Sequence, residues 1–284
     1  MKVLISVDME GVAGVVHSED VMMEGEEYQR ARRWMTAEAN AAIAGAKDAG
    51  AKEIVVADSH GYMRNLLIEE LIEDEIVQVV RGSPRPLGMV NGVDENCFAA
   101  LFIGYHAMEG TANGVLAHSY SGLAIQEMRL NGRAVGELGF NAAICGAFGV
   151  PVIFVSGDDR LAAEVAEQLP LAATVITKWG VGFNAARNLH PRESCRRIRA
   201  GVEDALEALP QLQQSLTTKG KLFLDLERPI RFEAIYKRNI HGDHVQHIPA
   251  LERLAGNHVA YESDDIIELA SIKNLLTYLP HKSL

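Results

Sequence analysis

Short apolar runs alternate with helical stretches along this chain, and that alternation restricts the fold more than any other property of it. Val3 to Val7, Glu53 to Ala57, Ile76 to Val80, Ala99 to Ile103 and Pro151 to Val155 read as buried strands. Between the first two lies a helix from about Glu26 to Ala49, with Tyr28, Ala31, Met35, Ala39, Ala42 and Ala46 on one face at spacings of three and four. Shorter helices are expected around Leu66 to Leu71, Phe140 to Phe148 and Leu161 to Gln168, and a longer one from Pro191 to Leu209. Apolar strands separated by helices predict an α/β fold, with a mainly parallel sheet flanked by helices. Asn131-Gly132, between two extended stretches, predicts a hairpin, and Val115 to Ser119 reads as another extended piece. Near Pro210 the composition turns to Gln, Ser and Thr. We therefore expect a main α/β domain over residues 1–210 and a smaller C-terminal α/β unit over 211–284. That unit would hold strands at Lys221 to Leu226 and Arg231 to Tyr236 and a closing helix at Ile266 to Leu279.

Chemistry gathers where the strands end. Asp8 and Glu10 follow the first strand in Ser6-Val7-Asp8-Met9-Glu10-Gly11. In extended backbone alternate side chains share a face, so both carboxylates point the same way. Two like charges that close are costly to bury unless a cation neutralises them. His60 follows the second strand in Asp58-Ser59-His60, His106 follows Gly104-Tyr105, and Glu137 follows the hairpin. Ligands in open parallel sheets collect outside the carboxyl ends of strands, so distant segments can converge there. Hard oxygen donors beside imidazoles suit zinc or a similar divalent ion. Taken singly, each residue also has an ordinary reading: turn former, core histidine or surface acid. His118, in Ala117-His118-Ser119, shares that ambiguity.

Composition removes other classes of function. With 27 basic against 38 acidic residues the net charge is −11, which disfavours nucleic acid and anionic membrane as partners. No apolar run approaches a bilayer span, and the first residues enter a strand at once, unlike a signal peptide. Cys97, Cys145 and Cys195 form neither a C-x-x-C pair nor an even framework, so free thiols and a cytoplasmic location are expected.

Together Ser6-Val7-Asp8-Met9-Glu10-Gly11, Asp58-Ser59-His60, Gly104-Tyr105-His106, His118-Ser119, Val135-Gly136-Glu137-Leu138-Gly139 and Val155-Ser156-Gly157-Asp158-Asp159-Arg160 resemble the DppA-like D-aminopeptidase family, from residue 1 to about 210. The resemblance implies a binuclear zinc metallopeptidase releasing N-terminal D-amino acids from short peptides such as D-Ala-D-Ala. It implies two Zn²⁺ per chain, with Asp8 bridging and Glu10, His60, His106 and Glu137 as further ligands, and His118 as the catalytic histidine. It also implies a homo-oligomer of pentameric rings stacked into a decamer that admits only small peptides. Asp58 is a candidate to orient His60, and Lys178 a candidate oxyanion donor. Two other functions share these features: a metal-dependent amidase acting on L-peptides or γ-linked cell-wall peptides, and a non-catalytic metal or small-molecule binding protein.

Overall fold

A computed structural model describes residues 1–214, 222–224 and 226–281. Among the described residues twelve strands form two sheets. The larger has the order β3-β2-β1-β4-β7-β8-β9. Its members are β1 (Lys2–Val7), β2 (Glu53–Asp58), β3 (Val77–Val80), β4 (Cys97–Tyr105), β7 (Val152–Asp158), β8 (Ala173–Gly182) and β9 (Ala185–Asn188). All of its pairings are parallel except the last, between β8 and β9. Helices α1 (Ser18–Val21), α2 (Tyr28–Asp48), α3 (Glu137–Ala147), α4 (Asp159–Gln168) and α5 (Pro191–Gln214) complete this part. The expected α/β architecture is present.

Residues 3–7 of β1 are all buried because apolar side chains cover both faces of the sheet. Val3, Ile5 and Val7 pack with Ala39, Ala42 and Ile43 of α2 and with Val202 and Leu206 of α5. Leu4 belongs to the opposite core, with Phe102, Tyr105 and Phe140. At a transfer value of roughly 25 cal/mol per Å², each large side chain buried here contributes about 2 kcal/mol.

The smaller sheet is antiparallel, in the order β11-β12-β10-β5-β6. Its strands are β5 (Ile125–Leu130), β6 (Arg133–Ala134), β10 (Ile230–Tyr236), β11 (Glu252–Ala255) and β12 (His258–Ser263), accompanied by α6 (Asn239–Val245) and α7 (Ile266–His281). Strands from both sides of residue 210 build this sheet, and Phe140 of α3 packs edge-on to Phe232 of β10 at 5.3 Å. The Asn131-Gly132 hairpin is present, both residues having positive φ. Two extended segments differ from expectation. Residues 115–119 form no strand: 115 and 116 make a turn, with Leu116 in the left-handed region. The strand expected at Lys221 to Leu226 lies partly outside the described residues, and its described residues 222–224 and 226 carry no strand.

Where β1 and β4 end, the chains meet without room for side chains. Gly11 N–H donates to the Gly104 carbonyl at 2.8 Å, and a Cβ added at Gly11 would lie 1.8 Å from the Tyr105 carbonyl oxygen. Backbone would have to move, so Gly11→Ala is expected to cost about 3 kcal/mol of stability. Urea unfolding of wild type and variant measures it, and a change under about 0.5 kcal/mol would contradict the close packing described.

Candidate active site

Asp8, His60 and His106 leave the carboxyl ends of the adjacent strands β1, β2 and β4. Glu10 lies two residues past Asp8 on the same loop. Glu137 opens α3, delivered by the β5–β6 hairpin, and His118 comes from the turns before β5. All six side chains line one pocket of about 490 Å³. None is a surface acid or an isolated core histidine: Asp8, Glu10, His106 and Glu137 are buried, and His60 and His118 are half-buried.

The donor atoms fall into overlapping sets. Asp8, Glu10 and His60 form one, and Asp8, His106 and Glu137 another, each with ligand atoms within 4.8 Å of one another. Asp8 belongs to both. His60 Nδ1 lies 3.0 Å from Glu10 Oε2 and 3.5 Å from Asp8 Oδ1. His106 Nε2 lies 3.5 Å from both Asp8 Oδ2 and Glu137 Oε1. Two ligands of a tetrahedral ion with bonds of about 2.0–2.1 Å stand roughly 3.4 Å apart, so this spacing fits zinc in both sets. A third set, Glu10, His106 and His118, also falls within 4.8 Å. His118 Nε2 is 3.7 Å from Glu137 Oε1, and its ring stacks on His106 at 4.2 Å.

Each imidazole has one nitrogen fixed by a main-chain acceptor. His60 Nε2 meets the Val21 carbonyl at 2.8 Å, His106 Nδ1 the Ala107 carbonyl at 2.9 Å and His118 Nδ1 the Leu116 carbonyl at 2.9 Å. A carbonyl only accepts, so these nitrogens carry protons in every state, and it is the opposite nitrogens that offer lone pairs to the cluster once its protons leave. That is the tautomer a metal-binding histidine needs.

Electrostatics point the same way. Burial, then the neighbouring Glu10 charge, pushes Asp8 up to about 8. Burial also acts upward on Glu10 and Glu137, but His60 and His106 respectively pull them below the ordinary range. Burial opposes the charged forms of His60 and His106, yet Glu10 and Glu137 outweigh it and hold both imidazoles well above their usual values. Asp8 Oδ2 and His106 Nε2 are buried with no hydrogen-bond partner. Three carboxylates sharing protons with imidazoles, and two orphaned donor atoms 3.5 Å apart, fit a pair of divalent cations.

The D-aminopeptidase profile, of peptidase family M55, matches residues 1–275. The chain belongs to this family. It is 39% identical over 227 residues to the D-aminopeptidase of Bacillus subtilis (strain 168), covering 80% of this chain and 81% of that protein. Among solved structures it resembles the Zn-dependent D-aminopeptidase DppA from Bacillus subtilis, described as a self-compartmentalizing protease. The TM-score is 0.91 at 32% identity, over 99% of this chain and 98% of that one.

Around this candidate site two supporting residues act differently from expectation. The Asp58 carboxylate accepts from the backbone N–H groups of Asn65 and Leu66, and Asn65 Nδ2 donates to the His60 carbonyl at 2.7 Å. Asp58 thus shapes the loop carrying His60 without touching its ring. Lys178 does not line the pocket; its buried ammonium donates to the carbonyls of Glu10 and Val15 and clamps the Glu10 loop from behind. Residues outside the expected set also line the pocket: Tyr120, Arg85, and Lys273 with Asn274 of α7. Lys273 shares the buried stripe of Leu269, Ala270 and Leu276, and a lysine on an apolar helix face was its one signal in the sequence.

The same loop is braced by Glu38 of α2, which accepts from Ala13 N–H at 3.0 Å and Ser194 Oγ at 2.7 Å. Burial pushes Glu38 up to about 7. A carboxyl with a raised folded-state pKa is best tolerated protonated, so its contribution is lost as pH climbs from the ordinary carboxyl range through about 7. Glu38→Gln keeps an acceptor oxygen and does not titrate. Its stability relative to wild type is expected to rise by on the order of 3 kcal/mol between pH 4 and pH 8. Denaturant titrations at both pH values check this, and an unchanged difference would contradict it.

Proposed function

We propose that this chain is a two-zinc aminopeptidase that removes N-terminal D-amino acids from short peptides such as D-Ala-D-Ala. The carrying observation is the shared carboxylate: Asp8 belongs to both three-ligand sets, with Glu10 and His60 on one side and His106 and Glu137 on the other. When bound, two zinc ions polarise the scissile carbonyl and lower the pKa of water toward neutrality. His118 performs the proton transfers. Burial, then the neighbouring His106, holds its imidazole below the ordinary value, so it stands neutral with its Nε2 lone pair toward the pocket. Nε2 takes a proton from the attacking water and returns it to the departing amine nitrogen as the peptide C–N bond breaks. The Leu116 carbonyl stabilises the imidazolium between the two transfers.

The reading extends to assembly and location. The self-compartmentalizing habit of the structural relative supports a closed homo-oligomer, and we take it to be pentameric rings paired as a decamer. Residues 1–210 would act as the metal-binding catalytic domain and 211–284 as the smaller unit, whose α7 walls the pocket. Free Cys97, Cys145 and Cys195 suit the cytoplasm. None of the described helices is long and apolar enough to cross a membrane.

The test is a panel of matched D- and L-aminoacyl dipeptides and γ-linked cell-wall fragments offered to the zinc-loaded protein. Hydrolysis of peptides with an N-terminal D-residue, and little of the L-series, is expected. Preference for L-peptides or γ-linked fragments would replace this reading with the amidase, and no hydrolysis with the binding protein.

A further inference from the structure

The pocket has a second charged feature, of opposite sign to the ligand cluster. Lys273 projects from α7 into the pocket wall and is buried, with 3% of its surface exposed. Its ammonium donates to Asn274 Oδ1 at 2.8 Å and sits 3.8 Å above the Tyr120 ring. Among the described residues no carboxylate pairs with it, whereas the less buried Lys2, Lys47 and Lys237 each have a carboxylate partner. A buried ammonium with one neutral acceptor and a ring face is poorly compensated. Burial accordingly pushes it down to about 7, even though Glu137 favours its charge.

Small and polar neighbours surround this ammonium in the pocket wall. Gly88, at φ +54°, faces it, and a Cβ there would come within 3.5 Å of Lys273 Nζ. Asn274 is held in turn, its Nδ2 reaching the Arg85 and Pro86 carbonyls at 3.3 Å. Arg85 adds a second cation to the same pocket; its guanidinium is anchored on the Val80 and Asp58 carbonyls, and its buried Nε lacks a partner. The wall is therefore cationic, and it lies close to the ligands: the Tyr120 ring is under the ammonium, and Tyr120 N–H donates to Glu137 Oε1 at 2.7 Å.

We propose that Lys273 binds the C-terminal carboxylate of a dipeptide substrate. This rests on the aminopeptidase reading above and adds to it the feature that selects dipeptides. In a dipeptide the carboxylate carbon lies only three bonds, roughly 4 Å, beyond the scissile carbonyl carbon. A peptide with its scissile carbonyl at the ligand cluster carries that carboxylate to the neighbouring wall. There it supplies the counter-charge the ammonium lacks. A longer peptide places a neutral amide at the same position and leaves Lys273 uncompensated, so the free carboxylate is read by charge, independently of any size limit imposed by assembly.

The experiment compares a dipeptide with its C-terminal amide, in whichever configuration the enzyme cleaves, so the stereochemical reading and this one are decided separately. Wild type is expected to favour the free acid about 10–100-fold in kcat/KM, the range of a charge-assisted hydrogen bond, mainly through KM. Lys273→Met should lose that preference, falling on the acid and changing little on the amide, with zinc content unchanged. Wild-type turnover of acid and amide within about 3-fold would overturn the proposal without recourse to any variant. Equal losses on both substrates in Lys273→Met would overturn it too, since a purely structural lysine behaves that way. Absence of any dipeptide hydrolysis by wild type would remove the aminopeptidase reading and this one with it.

Discussion

Asp8→Ala is expected to abolish turnover and to empty both zinc positions. Removing partners that merely support a ligand costs about 10–100-fold in affinity or activity, and Asp8 is the candidate ligand common to two sets, so a loss beyond about 10³-fold is expected. Elemental analysis should find far fewer than two zinc ions per chain. The protein itself should survive. Asp8 is pushed up to about 8 by burial and by Glu10, so the metal-free wild type carries a repulsion that the variant lacks. The metal-free variant should therefore melt no lower than chelator-treated wild type. A variant that kept two zinc ions and its activity would rule out a bridging Asp8.

His118→Ala has the second-largest expected effect and the opposite metal behaviour. Both zinc ions should stay, because the two sets that share Asp8 are complete without His118. Turnover should fall about 10²–10⁴-fold, the contribution of a positioned general acid–base group. Rapid mixing of wild type with an activated substrate separates this role from a covalent one: acid–base catalysis gives no product burst, and an imidazole nucleophile gives one. Loss of one zinc from the variant would instead make His118 a ligand through the set it forms with Glu10 and His106. Near-normal turnover would leave it a stacking partner of His106.

Much of the site was legible because its residues stand at strand ends. Asp8, His60 and His106 each follow an apolar run, and parallel topology fixes which end of those runs faces the ligand. Glu137 was harder. By itself it read as a surface acid, and only the fold of the hairpin and α3 shows it buried. The smaller sheet was less legible still. Its β5 pairs with β10 about a hundred residues away, and nothing local encodes such a partner. β11 is exposed at all four residues and so has no alternating pattern, and the helix Asn239–Val245 is too short for a helical period and contains Gly242. Lys273 lay in a segment whose apolar spacing predicted the helix correctly, but which wall that helix would form depended on packing against α3 and β10.

The three imidazole locks have a consequence for how this site tolerates sequence change. Many metal-binding histidines depend on a carboxylate partner, which one substitution can delete. Here the acceptors are the peptide carbonyls of Val21, Ala107 and Leu116, and every residue type supplies one. Side chains at those positions can drift without releasing a ring. What holds the tautomers is the path of the main chain, so relatives can differ at all three positions and still turn the same lone pairs into the pocket.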